Sequence, residues 1–454
     1  MHGFTEEAAI HAKIPKGWLN YLNEPRTSVT VKFPVEIKPN HIELITGTRI
    51  IHSNHHLPSK GGLRFSMTPY DDLEALASQM SYKASFHDIP FGGAKGCIYI
   101  DPNNYSYEEK VKIVRRFTVE LWKRSMIGAS TDVMGVDIGT DDKIMNIIRD
   151  TYKNVISNNS TELDACVTGK GITSGGLESS KIASGYGTAR CLKYIQENSK
   201  NKILAGTRLG SGGSTKSIII HGLTKNSINF ANNLSPKDFK IIGIVDGDFG
   251  CFNAMGFNID EVDNYKKKNG SLEGISKVLN KPEEILSKRC DIYVACKEQL
   301  VTGEIAENLN CKLIVEAANL PLKKEAITIV RNRGIQTLPD LLSYSGGFII
   351  SYLEWLKNLE HRNLTLLFKR FESNSITSLK KMLTTSDYGT KIDEYKGPEE
   401  NDLILSCIDE ITDNSFTDML DVAGRLNVDL RTAAYTIALG RYYEKCKSTG
   451  GVSV

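Results

Sequence analysis

The chain has 454 residues, of which 40% are hydrophobic and 24% charged, and this composition excludes a protein without a packed core. Lys and Arg total 56 against 54 for Asp and Glu, so no excess positive charge is present to hold nucleic acid or an anionic membrane. The chain is longer than one compact core usually supports, and we therefore expect two domains with a ligand site between them.

The nine cysteines are scattered without a CxxC pair, which is typical of reduced thiols in a reducing compartment. No apolar run is long enough to cross a bilayer, so we expect no membrane span. The first residues, MHGFTEEAAIHAK, contain acids, which targeting sequences avoid. The lack of a visible presequence favours the cytoplasm, and a mitochondrial location stays open if a presequence has been lost.

The first third of the chain alternates between strand-like and helical patterns. Residues 28–35 and 41–53 alternate apolar and polar side chains, which predicts two neighbouring strands. Helical spacing follows over 71–88 and again over 105–126. Residues 127–142 hold several small residues and four acids, and we expect a loop-rich stretch there, where functional side chains often lie.

A different alternation begins near residue 186, where short apolar runs are separated by helical stretches, as a parallel sheet requires. The runs are SIIIHG, IIGIVDGD, DIYVAC, KLIVEAAN and GIQTLPD. From about residue 352 the pattern is mostly helical. We therefore expect an α/β fold with an N-terminal α/β domain over 1–185, a doubly wound domain over 186–365 and a helical region over 366–454.

Three lysines accompany glycine-rich backbone in this chain. Lys60 opens KGGLR, Lys83 follows on the first predicted helix, and Lys95 stands within PFGGAKG. Glycines permit close approach of backbone to a ligand, and three ammonium groups in one pocket would form a receptor for a doubly anionic molecule. Burial and mutual repulsion lower the pKa of a lysine, so one of them could act as a base near neutral pH. A lone lysine is more often a solvated surface charge, but the combined spacing favours a site.

These motifs make the chain resemble the glutamate dehydrogenase family, in its animal-type branch. The motifs that carry the resemblance span both domains and are KGGLR, LASQMSYK, PFGGAKG, IGASTDV, ACVTGK, DGDF, PDLL, SGGFIISYLEWLKNL and LRTAAY. The resemblance implies that residues 1–185 bind substrate and form oligomers, and that 186–365 form a Rossmann-like dinucleotide-binding domain. It implies helices over 366–454 with a shortened antenna-like insertion, and a hexameric assembly.

Carried over by position, the resemblance implies that Lys95 is the general base and that Asp137 exchanges protons with it. Asp137 could instead cap the helix that VDIGTDDKIMNII predicts, and the two roles are compatible. The family's usual Pro-Ala-Pro before this aspartate is replaced here by Met134-Gly135-Val136.

The resemblance also implies the substrate contacts. Lys83 would bind the α-carboxylate, and Lys60 with Ser351 would hold the distal carboxylate, with Met80 lining the same site. Relatives that act on leucine, valine or phenylalanine lack the lysine at position 60, because an apolar substrate leaves a buried ammonium unpaired. The pair of Lys60 and Ser351 therefore favours a dicarboxylate substrate.

For the cofactor, NAD or NADP, the resemblance implies contacts with Ser184, Gly222, Lys225, Asp246 and Asn319. The loop after SIIIHG departs from the family's Gly-x-Gly-x-x-Gly turn, because Thr224 and Ser227 stand where glycines leave room for the pyrophosphate. Weak or absent dinucleotide binding is therefore an open alternative.

Three further positions near the expected cofactor also depart from the family, namely Val294, Ala317 and Tyr344. An acid at position 246 favours NAD over NADP. His52, His55 and His56 have no cysteine or carboxylate pair near them in sequence, so we expect no metal site.

The leading hypothesis is an NAD(P)-dependent enzyme that converts L-glutamate and water to 2-oxoglutarate and ammonium. The alternative is a catalytically impaired homologue that acts as a structural or regulatory subunit. The first hypothesis suits a homo-hexamer, and the second suits a hetero-oligomer with an active paralogue.

Overall fold

The computed structural model describes residues 2–155, 161–205, 215–275, 281–360 and 399–448. The described residues contain two β-sheets, each covered by helices. The strands are β1 (Thr27–Lys38), β2 (His41–Ser53), β3 (Ser59–Phe65), β4 (Gly92–Ile98), β5 (Asp132–Val136), β6 (Lys216–His221), β7 (Phe239–Asp246), β8 (Phe249–Phe252), β9 (Ile292–Ala295), β10 (Leu313–Glu316) and β11 (Gln336–Leu338).

The helices lie between and after these strands. They are α1 (His2–His11), α2 (Lys16–Asn23), α3 (Tyr70–Phe86), α4 (Tyr107–Trp122), α5 (Asp142–Val155), α6 (Ala183–Glu197), α7 (Lys202–Ala205), α8 (Lys225–Asn232), α9 (Ile259–Asn269), α10 (Pro282–Leu286), α11 (Gly303–Asn308), α12 (Lys324–Asn332), α13 (Asp340–Ser343), α14 (Gly346–Glu360), α15 (Glu400–Leu426) and α16 (Leu430–Ser448). None of the helices in the described ranges is long and apolar enough to cross a membrane.

The first sheet has the strand order β1-β2-β4-β3-β5, with β1, β2 and β4 antiparallel and β3 parallel to both of its neighbours. The predicted strands at its edge are confirmed as β1 and β2. The prediction that 127–142 is loop-rich is wrong for Asp132–Val136, which form β5. The strand itself is DVMGV and contains two β-branched valines, so the glycines and acids that predicted a loop lie mostly outside it.

The lysine-bearing glycine segments are the two central strands of this sheet. Every residue of β3 and β4 is buried. A Cβ atom on Gly61 would lie 1.6 Å from the carbonyl oxygen of Ala94, and one on Gly93 would lie 2.2 Å from the backbone nitrogen of Ser81. The glycines therefore let β3 approach β4 and let α3 pack on β4, which fixes Lys60, Lys83 and Lys95 relative to one another.

The second sheet has the order β11-β10-β9-β6-β7-β8 and is parallel except for the β7–β8 hairpin. The five strands predicted after residue 186 are confirmed as β6, β7, β9, β10 and β11. The chain leaves β6 for β7 on one side and returns to β9 on the other, so a topological switch point lies at the carboxyl ends of β6 and β9.

The helices after β11 join the two domains. The side-chain amide of Gln79 on α3 donates a hydrogen bond to Asp340 at 2.6 Å, and the hydroxyl of Tyr435 on α16 donates to Gln79 at 3.0 Å. The predicted C-terminal helices are confirmed as α15 and α16. Residues 366–398 of the predicted antenna-like insertion lie outside the described residues.

Candidate active site

A buried lysine on β4 and a buried carboxylate directly after β5 meet across β3, which lies between the two strands. The ammonium of Lys95 lies 2.7 Å from the Asp137 carboxylate, and the two side chains are 3% and 10% exposed. Burial lowers the pKa of Lys95, while the neighbouring carboxylate opposes that shift. The pKa of Asp137 falls because Lys95 and Arg64 outweigh the effect of its burial. The pair can therefore hold and exchange one proton.

Arg64 on β3 binds the same carboxylate from the other side. Its guanidinium donates to the two Asp137 oxygens at 2.8 and 3.2 Å, and to the two Glu298 oxygens at 3.1 and 2.9 Å. Because Glu298 follows β9 in the second domain, Arg64 ties the proton-exchanging carboxylate to the opposite wall of the cleft. Two carboxylates raise the pKa of Arg64 despite its burial, so it stays charged.

The alternative role of Asp137 as a helix cap is wrong. Helix α5 begins at Asp142, and Asp141 accepts a hydrogen bond from the backbone N–H of Ile144 at 2.9 Å. Asp137 instead lies before a turn in which its own backbone N–H donates to the Thr140 hydroxyl at 2.9 Å. Its side chain is thereby left for Lys95 and Arg64.

Lys60 on β3 is a buried cation whose ammonium has no hydrogen-bonding or ion-pair partner within the described ranges. Burial and the nearby Arg49 lower its pKa to about 7, although Glu354 and Asp132 act in the opposite direction. The hydroxyl of Thr168 is also buried and unpaired in the described structure. An unpaired ammonium beside an unpaired hydroxyl is suited to receive a carboxylate.

Ser351 and Met80, the other two predicted substrate residues, lie on α14 and α3. Ser351 lies on α14, where its hydroxyl donates to the Gly347 carbonyl at 2.8 Å. One turn further along α14, Glu354 influences the pKa of Lys60, which brings this stretch of the helix near Lys60. Met80 on α3 is 8% exposed and belongs to the apolar cluster that includes Phe348 of α14.

Lys83 on α3 reaches across the cleft to the second domain. Its ammonium donates to the side-chain oxygen of Asn319 at 2.7 Å and to the carbonyl of Tyr344 at 3.0 Å. Burial lowers the pKa of Lys83 to about 8. The predicted α-carboxylate ligand and a predicted cofactor ligand are thus bound to each other in this conformation.

The loop at the switch point keeps the first glycine of the expected turn, Gly222. Thr224 and Ser227 stand at the other two glycine positions and hydrogen-bond to each other. Gly222 has a φ of +100°, which only glycine adopts readily. Thr224 caps α8: its hydroxyl accepts from the Ser227 N–H at 3.2 Å, and the Ser227 hydroxyl accepts from the Thr224 N–H at 2.8 Å. Two amide donors near the expected pyrophosphate are therefore already satisfied by the loop itself. Lys225, the first residue of α8, is exposed.

Asp246 lies at the carboxyl end of β7, where a ribose-binding acid is expected. One carboxylate oxygen accepts from Lys297 at 2.6 Å and from the Leu223 N–H at 3.1 Å, and the other accepts from Lys266 at 2.6 Å. Two ammonium groups therefore compensate its charge. The acid alone no longer favours NAD over NADP.

Tyr344 lies between Lys83 and the start of α8, near the expected cofactor cleft. Its side chain is half-buried, and its hydroxyl accepts a hydrogen bond from the Asn226 amide at 2.7 Å, while Lys83 lies 5.0 Å from the ring centroid. Tyr344 therefore contacts both Lys83, a predicted substrate residue, and Asn226, the second residue of α8. Nearby, a Cβ atom on Gly347 would lie 2.5 Å from the Ser184 hydroxyl, so that wall is also tightly packed.

A Rossmann-type domain that faces a buried lysine–carboxylate pair across a cleft defines the class of two-domain α/β dehydrogenases. The sequence pattern of the Glu/Leu/Phe/Val dehydrogenase dimerisation domain matches residues 25–154, and that of the Glutamate/Leucine/Phenylalanine/Valine dehydrogenase family matches residues 175–387. The chain belongs to this family, and its similarities lie with the glutamate dehydrogenases.

Three comparisons with glutamate dehydrogenases illustrate this membership. The mitochondrial enzyme of Dictyostelium discoideum is 34% identical over 467 residues, covering 99% of this chain and 91% of that protein. The enzyme of Thermotoga maritima is 29% identical over 436 residues, covering 94% and 92%. The hetero-hexameric glutamate dehydrogenase of Thermus thermophilus, in a leucine-bound form, has a TM-score of 0.78 at 27% identity, covering 99% of this chain and 95% of that one.

Three residues of the candidate site, Arg64, Glu298 and Thr168, were not predicted from the sequence. Arg64 stood inside the quoted KGGLR motif, but its double pairing depends on Glu298, which is 234 residues away. Thr168 stood inside ACVTGK without a signal that its hydroxyl would be unpaired. From sequence spacing we expected no metal site at the histidines. In the described ranges, no cluster of three or more His, Cys, Asp or Glu is suited to hold a metal ion.

Proposed function

We propose that this chain catalyses the oxidative deamination of L-glutamate to 2-oxoglutarate and ammonium with NAD+ or NADP+. The observation that carries the proposal is the buried Lys95–Asp137 pair at 2.7 Å, close to two further buried lysines with lowered pKa values. The reaction needs one ammonium group for each of the two substrate carboxylates and one further lysine for proton transfer.

In this proposal Lys83 binds the α-carboxylate, while Lys60 and Ser351 bind the distal carboxylate beside Met80. An oxidised nicotinamide supplies the hydride acceptor for the reaction. Lys95, when neutral, takes a proton from the water that attacks the iminium carbon, and Asp137 passes protons between Lys95 and the leaving nitrogen. Arg64 keeps Asp137 ionised, because its charge lowers the pKa of that carboxylate.

Replacement of Lys95 tests the proposal directly. Lys95→Ala should abolish glutamate-dependent reduction of NAD+ and NADP+, while the circular dichroism spectrum and melting temperature stay near those of the wild type. Lys193→Ala is a matched control, because Lys193 is 66% exposed and lies away from the cleft on α6. Near-normal turnover in Lys95→Ala would reject Lys95 as the base.

A second function is favoured by one observation, the hydrogen bond that holds the half-buried Tyr344 ring against Asn226. A chain that holds Tyr344 permanently against Asn226 would bind a dicarboxylate without nicotinamide and would act as a structural or regulatory subunit. Calorimetric titration of the wild-type chain with NAD+ and NADP+ separates the two functions. Micromolar binding with turnover supports the enzyme, whereas absent binding in a well-folded oligomer supports the subunit.

The proposed partners and location follow from these two functions. The enzyme would assemble as a homo-hexamer, and the impaired chain would assemble as a hetero-oligomer with an active paralogue. Native mass spectrometry of the chain alone and with a co-expressed active relative distinguishes the two assemblies. The proposed location is the cytoplasm, with the mitochondrion as the alternative, and tagging of the full-length gene product decides between them.

A further inference from the structure

Gly135 leaves a notch in the wall of the cleft, and the Lys60 ammonium lies in it. A Cβ atom built on Gly135 would be 2.6 Å from Lys60 Nζ and 3.3 Å from Thr168 Oγ1. Non-bonded heavy atoms meet at about 3.5 Å, so any side chain at position 135 would have to displace the ammonium. Lys60 is therefore recessed towards β5, into space that exists only because residue 135 is glycine.

Two independent features point to a ligand at this notch. The Lys60 side chain is 3% exposed and its ammonium is unpaired among the described residues. The Thr168 residue is fully buried, and its hydroxyl oxygen also lacks a partner there. Buried polar groups are normally paired, so the buried and unpaired Thr168 hydroxyl, together with the Lys60 ammonium that shares its notch, forms an acceptor site for an anion.

We propose that Gly135 sets the depth of the distal-carboxylate subsite, so that the site takes a six-carbon 2-oxo dicarboxylate, 2-oxoadipate, at least as well as the five-carbon 2-oxoglutarate. Normal contact with a Cβ at position 135 would push the ammonium forward by roughly 1 Å. One additional carbon–carbon bond lengthens the ligand by about 1.5 Å. The recess thus matches one methylene group. The inference rests on the proposed function in one respect, that Lys83 and Lys60 bind the two carboxylates.

The test measures binding by calorimetry on the full chain, so that it does not depend on turnover. The ligands are oxaloacetate, 2-oxoglutarate and 2-oxoadipate, which differ by one methylene each. The wild type should bind 2-oxoadipate at least as tightly as 2-oxoglutarate. In Gly135→Ala the ratio of the two affinities should shift towards 2-oxoglutarate by roughly tenfold or more, which is the usual discrimination for one methylene in a shaped pocket.

Gly17→Ala is the matched control, because a Cβ atom on Gly17 on α2 meets nothing within 4 Å. It should leave the affinity ratio at its wild-type value. A wild type that prefers 2-oxoglutarate by tenfold, or an unchanged ratio in Gly135→Ala, would overturn the inference and leave the proposed function intact. If none of the three ligands binds the wild type, the proposed dicarboxylate site itself is rejected and the inference with it. The wild-type series alone decides the matter if Gly135→Ala does not fold.

Discussion

The ammonium of Lys95 lies 2.7 Å from the carboxylate of Asp137, and both side chains are at least nine-tenths buried. Burial lowers the pKa of Lys95, and the carboxylate of Asp137 partly restores it. The two groups therefore set each other's protonation state, and a change in one should be visible as a titration shift in the other.

Asp137→Asn should reduce turnover and shift the pH profile of the remaining rate. The mutation removes the negative charge that raises the pKa of Lys95, so Lys95 loses its proton at a lower pH than in the wild type. A base is active when deprotonated, and the acidic limb of kcat should therefore move to lower pH. Steady-state rates across the neutral to alkaline range measure this. A limb that stays in place or moves upward would contradict the coupling.

Lys60→Ala should weaken the use of glutamate far more than the use of norvaline, which lacks the distal carboxylate. The change removes a charged hydrogen bond of about 1.5–3 kcal/mol, so we expect a loss of one to two powers of ten in kcat/KM for glutamate. Lys193→Ala, at an exposed position on α6, provides the control. Equal losses on both amino acids would show that Lys60 does not select the substrate.

Tyr344→Asn should increase the affinity for NAD+ and NADP+, because it removes a half-buried ring near the expected cofactor cleft and its contact with Asn226. Thr224→Gly with Ser227→Gly should add to the gain by freeing the two amide donors of the capping box. Calorimetric titration measures each step. Tyr344→Phe serves as the matched control, since it loses the hydrogen bond but keeps the ring. Equal gains in Tyr344→Phe and Tyr344→Asn would assign the effect to the hydrogen bond and not to the bulk of the ring.

Stability should fall steeply in mild acid, because buried histidines stay neutral in the folded chain. Burial lowers the pKa of both His52 and His87 from 6.5 to about 3. Their contribution to stability is present above pH 6.5 and is lost as the pH falls towards 3, since only the unfolded chain takes up the proton. Each should cost about 1.4 kcal/mol of unfolding free energy between pH 7.5 and 5.5.

Urea titrations at these two pH values check the acid effect. His87→Gln should be less stable at pH 7.5, because it loses the hydrogen bonds to Ser415 and Leu341, but its stability should depend less on pH. His41→Gln is the control, since His41 lies on the exposed end of β2. A pH dependence that is unchanged in His87→Gln would contradict the assignment.

The sequence determined those features that follow from local periodicity and from motif chemistry. The alternation after residue 186 was sufficient for β6, β7, β9, β10 and β11, because a parallel sheet imposes the same apolar run and crossover on each strand. Lys60 and Lys95 were recognisable because each stands within a glycine-containing motif, and Lys83 because it ends LASQMSYK on a predicted helix between them. The departures of Thr224, Ser227 and Tyr344 were visible because a dinucleotide requires space at defined positions of the turn.

Only the tertiary structure decided how distant side chains pair. Arg64 meets Glu298 across 234 residues, and nothing local to either residue encodes that distance. Gly61 was expected to allow backbone to approach a ligand, but it lies in a buried strand, where the missing side chain lets β3 approach β4. Lys60 is recessed into the Gly135 notch for the same reason. Local sequence specifies conformational preference, whereas the pairing of charges and the shape of the cleft depend on which segments the whole chain brings together.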